Sequence, residues 1–287
     1  MDAAFTQTLL QQMPKPSGNV ECKDGEVDGV KYRLYWPKGA TSELPTAIWA
    51  HGGGLMFGDI DTDDYMCRAV AEHTNSAVIS TEYRLAPEHK WPSQLEDCMT
   101  VYKWAHENAS SFHGDPNRFY TIGGSAGGLL ALAMANQVVQ DSQLKPGLKG
   151  IAAMVPVTCH YDNVPEKYKS MYKAHTDNAK GTPIIDGEAV KFMCGHIAAD
   201  PKDSSLFTIL SDNHKDFPPT YFTSCEYDPL RDDAYMMEAA LKEAGVQTKL
   251  DYYEGFPHYF WIFPSVPESQ VYMDNMFAGI MWLHSQM

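Results

Sequence analysis

The sequence predicts an α/β fold, a mostly parallel sheet flanked by helices, in a single domain over residues 1–287. Three observations predict it. Short apolar runs alternate with longer amphipathic segments along most of the chain. Two of those runs end abruptly in glycine clusters, at His51-Gly52-Gly53-Gly54 and at Gly123-Gly124-Ser125-Ala126-Gly127-Gly128. The composition, 44% hydrophobic and 21% charged, is that of a globular protein with a sizeable core.

The elements follow in order. Residues 1–26 form a short N-terminal segment, and Val27 to Trp36 alternates as an early edge strand does. Thr46 to Ala50 and Ala77 to Thr81 are short apolar strands, the second leading into Tyr83-Arg84-Leu85-Ala86-Pro87. Between them, Asp63 to His73 spaces Tyr65, Met66, Ala69 and Val70 for one helical face. Pro92 opens a helix to Asn108, with Leu95, Met99, Tyr102 and Ala105 at helical spacing. Arg118 to Ile122 is the next strand, followed by a strongly apolar helix to about Val139 and a buried strand from Ile151 to Val157. From about Cys159 to Asp216 the rhythm breaks, and this stretch reads as a helical insertion. It resumes with strand Thr220 to Cys225, helix Ala234 to Ala244, strand Thr248 to Tyr253 and a closing helix from about Ser269.

The charge narrows the partners. With 22 basic against 37 acidic residues, the net value is −15. Such a surface repels phosphate backbones and anionic lipid, so neither nucleic acid nor a membrane is an expected partner. No apolar run reaches the ~18 residues of a membrane span. The start, with Asp2 and no basic or long apolar stretch, lacks the pattern of a secretory signal. Six cysteines without a C-x-x-C pair suit a reducing compartment, and the expectation is a cytoplasmic protein.

The chemistry concentrates at three places. Gly123-x-Ser125-x-Gly127 lies between a strand and a helix, where small neighbours let a serine sit on a tight turn with its hydroxyl exposed. The helix dipole there favours developing negative charge. The glycines after His51 can aim backbone N–H groups into an open space, which is what an oxyanion requires; no Gly-Lys-Ser/Thr follows to make a phosphate loop. Gly53, Gly54 and Ala126, the residue after the serine, are the candidate donors, and His51 reads as structural. An acid and a base are then expected later in the chain, each at the C-terminal end of a strand. Asp228 and His258 occupy those positions. Asp232 and Asp233 lie a turn into the next helix and Glu226 within or near its strand, which makes them weaker choices.

Together these motifs resemble the hormone-sensitive-lipase branch of the α/β-hydrolases, from about Val27 to the C-terminus. The resemblance rests on His51-Gly-Gly-Gly54, Tyr83-Arg-Leu-Ala-Pro-Glu88, Gly123-Gly-Ser-Ala-Gly127, Asp228-Pro-Leu-Arg-Asp232 and Gly255-Phe-Pro-His258. It is greatest to fungal esterases encoded with polyketide pathways. It implies an eight-stranded α/β-hydrolase sheet, a Ser125–His258–Asp228 triad and the same oxyanion donors. Many members carry Asp before the nucleophile, where this chain has Gly124. The insertion at about 159–216 is expected to form most of a cap, with the first 25 residues contributing little.

The expected activity is a serine carboxylesterase acting on an uncharged ester with a short acyl group, a small molecule such as an acetylated aromatic metabolite. Met56, Phe57, Tyr161, Phe256 and Tyr259, with Phe260 and Trp261, are candidate substrate contacts near the mouth, core packing being the competing reading. Acyl transfer through a triad needs no metal or organic cofactor, and none is expected. Acyl transfer to another acceptor, thioester cleavage, lactone opening and carbon–carbon chemistry remain open alternatives. The resemblance also implies non-catalytic binding relatives that have lost triad members, but Ser125, Asp228 and His258 are all present here. Within this family a homodimer through an exposed edge or the last helix is typical.

Overall fold

The computed structural model describes residues 16–287, so the part of the expected N-terminal segment up to residue 15 lies outside the described residues. From Val20 the chain is already in a strand. β1 (Val20–Val27) and β2 (Val30–Pro37) form an antiparallel hairpin joined at Asp28-Gly29. Both turn residues have positive φ, 49° and 81°, as a tight two-residue hairpin turn requires. The edge strand expected from Val27 to Trp36 is therefore β2, with a turn at its start and another strand outside it. β1 escapes a periodicity reading because four consecutive residues, Glu21 to Asp24, are exposed.

β3 (Leu44–Ala50), α1 (Asp64–Thr74), β4 (Ala77–Thr81), α2 (Ser93–Glu107), β5 (Gly114–Gly124), α3 (Ala126–Val138) and β6 (Leu148–Met154) come next. β6 ends three residues before the expected Val157, because Val155 turns out of the strand at φ 39° and Pro156 follows. The segment to β7 holds α4 (Ala174–Asp177), α5 (Gly187–Ile197) and three 3-10 turns, and contributes no strand to the sheet. β7 (Thr220–Tyr227), α6 (Arg231–Glu243), β8 (Thr248–Pro257) and α7 (Pro267–His284) complete the chain.

The eight strands form one sheet in the order β1-β2-β4-β3-β5-β6-β7-β8. β2 is antiparallel to β4, and every pairing from β4 through β8 is parallel. Central strands are buried on both faces, as parallel strands under helices are. Ile48 and Ala50 point into a core shared with α2, α3 and α6, while Ala47 and Trp49 point into one shared with α1 and α7. α3 is buried from Ala126 through Asn136, which explains why it is apolar all round. Each fully buried side chain such as Ile48 or Phe222 contributes ~1.5–3 kcal/mol over its exposed state. Parallel pairing brings the ends of β3, β5, β7 and β8 to one sheet edge, with Ala50 beside Gly123 and Tyr227 beside Pro257. Among the described residues no helix is long and apolar enough to cross a membrane.

Candidate active site

β5 delivers Ser125 to that edge and α3 begins one residue later. Ser125 has φ 57° and ψ −121°, a conformation that costs a non-glycine residue ~1–3 kcal/mol. Two backbone bonds hold it. Its N–H donates to Met154 O at 2.8 Å, and its carbonyl accepts from Leu129 N–H at 3.0 Å. The turn closes only because its neighbours lack side chains. A Cβ at Gly127 would overlap the carbonyl oxygen of Ala50, and one at Gly124 would collide with the Tyr259 hydroxyl and ring. Tyr259 therefore fills the space that the Asp of related sequences would need.

The loop after β3 lies opposite. Gly53 and Gly54 have φ of 118° and 64°. Gly53 O accepts from Met56 and Phe57 N–H at 3.1 and 3.0 Å, closing a compact turn. The N–H groups of Gly53, Gly54 and Ala126 donate to no protein acceptor among the described residues. Asp63 pins the root of the loop: its Oδ2 accepts from Trp49 Nε1 at 3.0 Å and from Gly52 N–H at 3.4 Å. Burial pushes the Asp63 carboxyl upward. His51 is fully buried and stacks on Tyr83 at 4.1 Å, and the Tyr83 hydroxyl donates to His51 O at 2.7 Å. Burial lowers its pKa and keeps the ring neutral.

Asp228 and His258, thirty residues apart in the chain, meet at the ends of β7 and β8. Asp228 Oδ2 lies 2.7 Å from His258 Nδ1, and Asp228 Oδ1 accepts from Leu230 N–H at 2.8 Å. Both residues are buried, at 0% and 2% exposure. A carboxylate only accepts, so Nδ1 carries the imidazole proton and Nε2 is left with its lone pair. The remaining link, Ser125 Oγ to His258 Nε2, is not in hydrogen-bond geometry among the described residues; such links tighten when substrate binds.

Sequence reasoning missed three residues that tie the 159–216 segment to this acid. Asn178 Nδ2 donates to the carbonyls of Asp228 and Glu226 at 3.1 and 3.2 Å. Asp232 Oδ2 accepts from Lys173 and Ala174 N–H, both at 2.6 Å. Asp233 Oδ1 accepts from Thr158 and Cys159 N–H at 2.7 and 3.0 Å, while its buried Oδ2 has no partner. In the sequence Asp232 and Asp233 stood only as weaker candidates for the acid, and nothing there marked them or Asn178 as ties to this segment.

Burial, opposed by its hydrogen bonds and reinforced by Asp228, pushes Asp233 up to about 8. In the unfolded chain an aspartate ionises near 4. Between those values the folded protein keeps a proton that the unfolded chain has released, so stability falls as pH rises toward 8 and levels off above it. Asp233→Asn keeps the Oδ1 acceptor and removes the titration. Between about pH 5 and 7, the wild type is expected to lose ~1.4 kcal/mol per pH unit relative to this variant in urea unfolding. Parallel stability curves would count against a protonated Asp233.

Beside Ser125 opens a cleft. Gly54, Ser125, Ala126, Leu129, Val157 and Leu230 come from the sheet edge and α3 side, and His160, Ile185, Val190, Met193, Cys194, Ile197, Ala199 and Phe207 from the 159–216 segment. The expected contacts are not among these lining residues. Met56 and Phe256 are half-buried and packed on the two cores, Phe57 is exposed, and Tyr161 stacks between His160 and His175. Tyr259 sits beneath the serine turn, and Phe260 and Trp261 are buried in the core with Tyr272. Proximity in sequence to a motif does not fix which way a side chain points. Eight of the residues lining this cleft come from the stretch with the least regular pattern.

Residues 47–262 match the protein family described as having an alpha/beta hydrolase fold. The chain is 57% identical, over 288 aligned positions, to the versiconal hemiacetal acetate esterase of Dothistroma septosporum, covering 100% of this chain and 88% of that one. It is 32% identical over 283 positions to the versiconal hemiacetal acetate esterase of Aspergillus parasiticus, covering 98% and 88%. Among solved structures, vibralactone cyclase superposes with a TM-score of 0.89 at 32% identity, covering 98% of this chain and 85% of that one. Fold, sheet-edge geometry and relatives agree: the chain belongs to the α/β-hydrolase family, in its hormone-sensitive-lipase-like carboxylesterase branch.

Proposed function

We propose that this protein is a serine esterase that removes a short acyl group, such as acetyl, from an uncharged secondary-metabolite ester through Ser125, His258 and Asp228. The carrying observation is the buried 2.7 Å Asp228–His258 contact, which leaves Nε2 able to accept a proton at the sheet edge where Ser125 lines the cleft. His258 takes the Ser125 proton as Oγ attacks the ester carbonyl. The charge that builds on the carbonyl oxygen is met by the free N–H groups of Gly53, Gly54 and Ala126. His258 then returns the proton to the departing alcohol, leaving an acyl-enzyme. Water, activated by the same imidazole, releases the acid and restores Ser125. Two relatives are esterases of a hemiacetal acetate, which supports an acetyl group. The 159–216 segment acts as the cap, since eight of its residues line the cleft. The six free cysteines support a reducing, cytoplasmic setting.

A second reading draws on the likeness to vibralactone cyclase and on the apolar cleft. A hydroxyl on the acyl chain could attack the acyl-enzyme in place of water, forming a lactone and freeing Ser125.

The test is a series of p-nitrophenyl esters from acetyl to dodecanoyl, with a fluorophosphonate to label the nucleophile. Turnover peaking at the shortest chains, with the label on the Ser125 peptide at one per chain, is expected. A folded protein that hydrolyses none of these esters and leaves Ser125 unlabelled would sink the hydrolase reading.

A further inference from the structure

The cleft walls are apolar almost throughout, which makes their one hydrogen-bonding ring informative. His160 lines the cleft and is only 7% exposed, so the face it leaves open is the one on the cleft. Its Nδ1 accepts the backbone N–H of Asp162 at 3.1 Å. A nitrogen that accepts an N–H carries no proton, so in the neutral ring the proton sits on Nε2. Burial lowers the His160 pKa, which favours that neutral form. Nε2–H has no protein acceptor among the described residues and is not among the sealed polar atoms. The ring cannot swing away: Tyr161 stacks on one face at 4.4 Å and the edge of Phe207 meets it at 5.5 Å. His160 is therefore a fixed, uncharged donor facing an otherwise greasy space, beside the side chains of Val157 and Phe207.

From this geometry we infer that His160 is the specificity-determining donor of the cleft, and that the preferred alcohol is a ring system carrying an acceptor oxygen remote from the ester. This deepens the esterase reading and rests on it. The cleft walls run from Ser125 and Ala126 at the sheet edge to Ile197 and Phe207 of the 159–216 segment, so they continue past the serine that holds the acyl group. A ring system fills the apolar walls formed by Leu129, Val157, Ile197 and Phe207. An oxygen on its far side satisfies Nε2–H, which a purely hydrocarbon ring would strip of solvent and leave unpaired. The contact is to an acceptor such as a ketone, quinone or ether oxygen. A carboxylate is disfavoured because the ring carries no charge to meet it.

The test uses naphthyl acetates bearing an acetyl group at each position of the distal ring, paired with isosteres in which isopropenyl replaces acetyl. For at least one position, the kcat/KM ratio of ketone to isostere should fall about 3- to 10-fold in His160→Phe relative to wild type. His160→Gln, which keeps an N–H donor, should restore part of the ratio. Taking the ratio removes differences in leaving-group reactivity between the pair. Equal losses on both members, or an unchanged ratio at every position, would overturn the role of His160 while leaving the esterase intact. Binding of the corresponding naphthols to Ser125→Ala and to Ser125→Ala/His160→Phe reads the same contact without turnover. The Kd ratio of ketone to isostere should rise by a similar factor, and an unchanged ratio there overturns the proposal even if no ester is hydrolysed.

Discussion

Ser125→Ala is expected to lower kcat on p-nitrophenyl acetate by about 10⁵- to 10⁶-fold, the cost of removing a nucleophile whose partners work as a unit. Among the described residues the Ser125 side chain makes no hydrogen bond, so unfolding free energy should stay within about 0.5 kcal/mol of wild type. Asp228→Asn should cost about 10⁴-fold, because an amide can donate to Nδ1 and so hold the imidazole in the wrong tautomer. Combining the two should lose no more than Ser125→Ala alone, since a base without a nucleophile has nothing to activate. Steady-state kinetics with burst analysis measures all three. If Ser125→Ala kept activity within 100-fold of wild type, another group would have to be the nucleophile.

The second large effect is on the fold. In Gly127→Ala the new methyl group would overlap the Ala50 carbonyl oxygen and approach both the Ala50 carbonyl carbon and His51 O at 2.9 Å. These are backbone atoms at the end of a central strand, and they cannot turn aside as a side chain can. Alanine is itself the better helix former by ~1 kcal/mol, so any loss comes from the contact. A destabilisation of about 3 kcal/mol or more is expected in urea unfolding. Gly195→Ala is the matched control. It lies in the helix Gly187–Ile197 with nothing within 4 Å of a new methyl, and should gain up to ~1 kcal/mol. Equal behaviour of the two variants would mean that the strand and helix can separate at the serine turn without cost.

What could be read from sequence was whatever constrains residue type locally. A chain that must turn within two residues around Ser125 excludes side chains at Gly124 and Gly127, and that exclusion is visible as letters. The strand end before Asp228 was legible for a related reason: β7 is a buried apolar run, and its break at Glu226 marks the edge. β8 is a half-buried edge strand, and His258 was legible from Gly255-Phe-Pro-His258 at its end. β1 was illegible because an outer strand solvated on both faces carries no pattern. The cleft was illegible because its walls are assembled from the helix Gly187–Ile197 and irregular turns around it, whose apolar residues read equally well as core. Asp232 and Asp233, weighed as weaker candidates for the acid, do not meet His258. They serve the site from behind, by gripping backbone amides of the 159–216 segment.

The Tyr259 ring beneath Gly124 has a consequence for descent. A codon change that restored an acid before the nucleophile would put its side chain into space already taken, while shrinking Tyr259 first would open a hole under the turn. Either single step passes through a worse protein. A matched exchange at both positions avoids the clash and the hole alike.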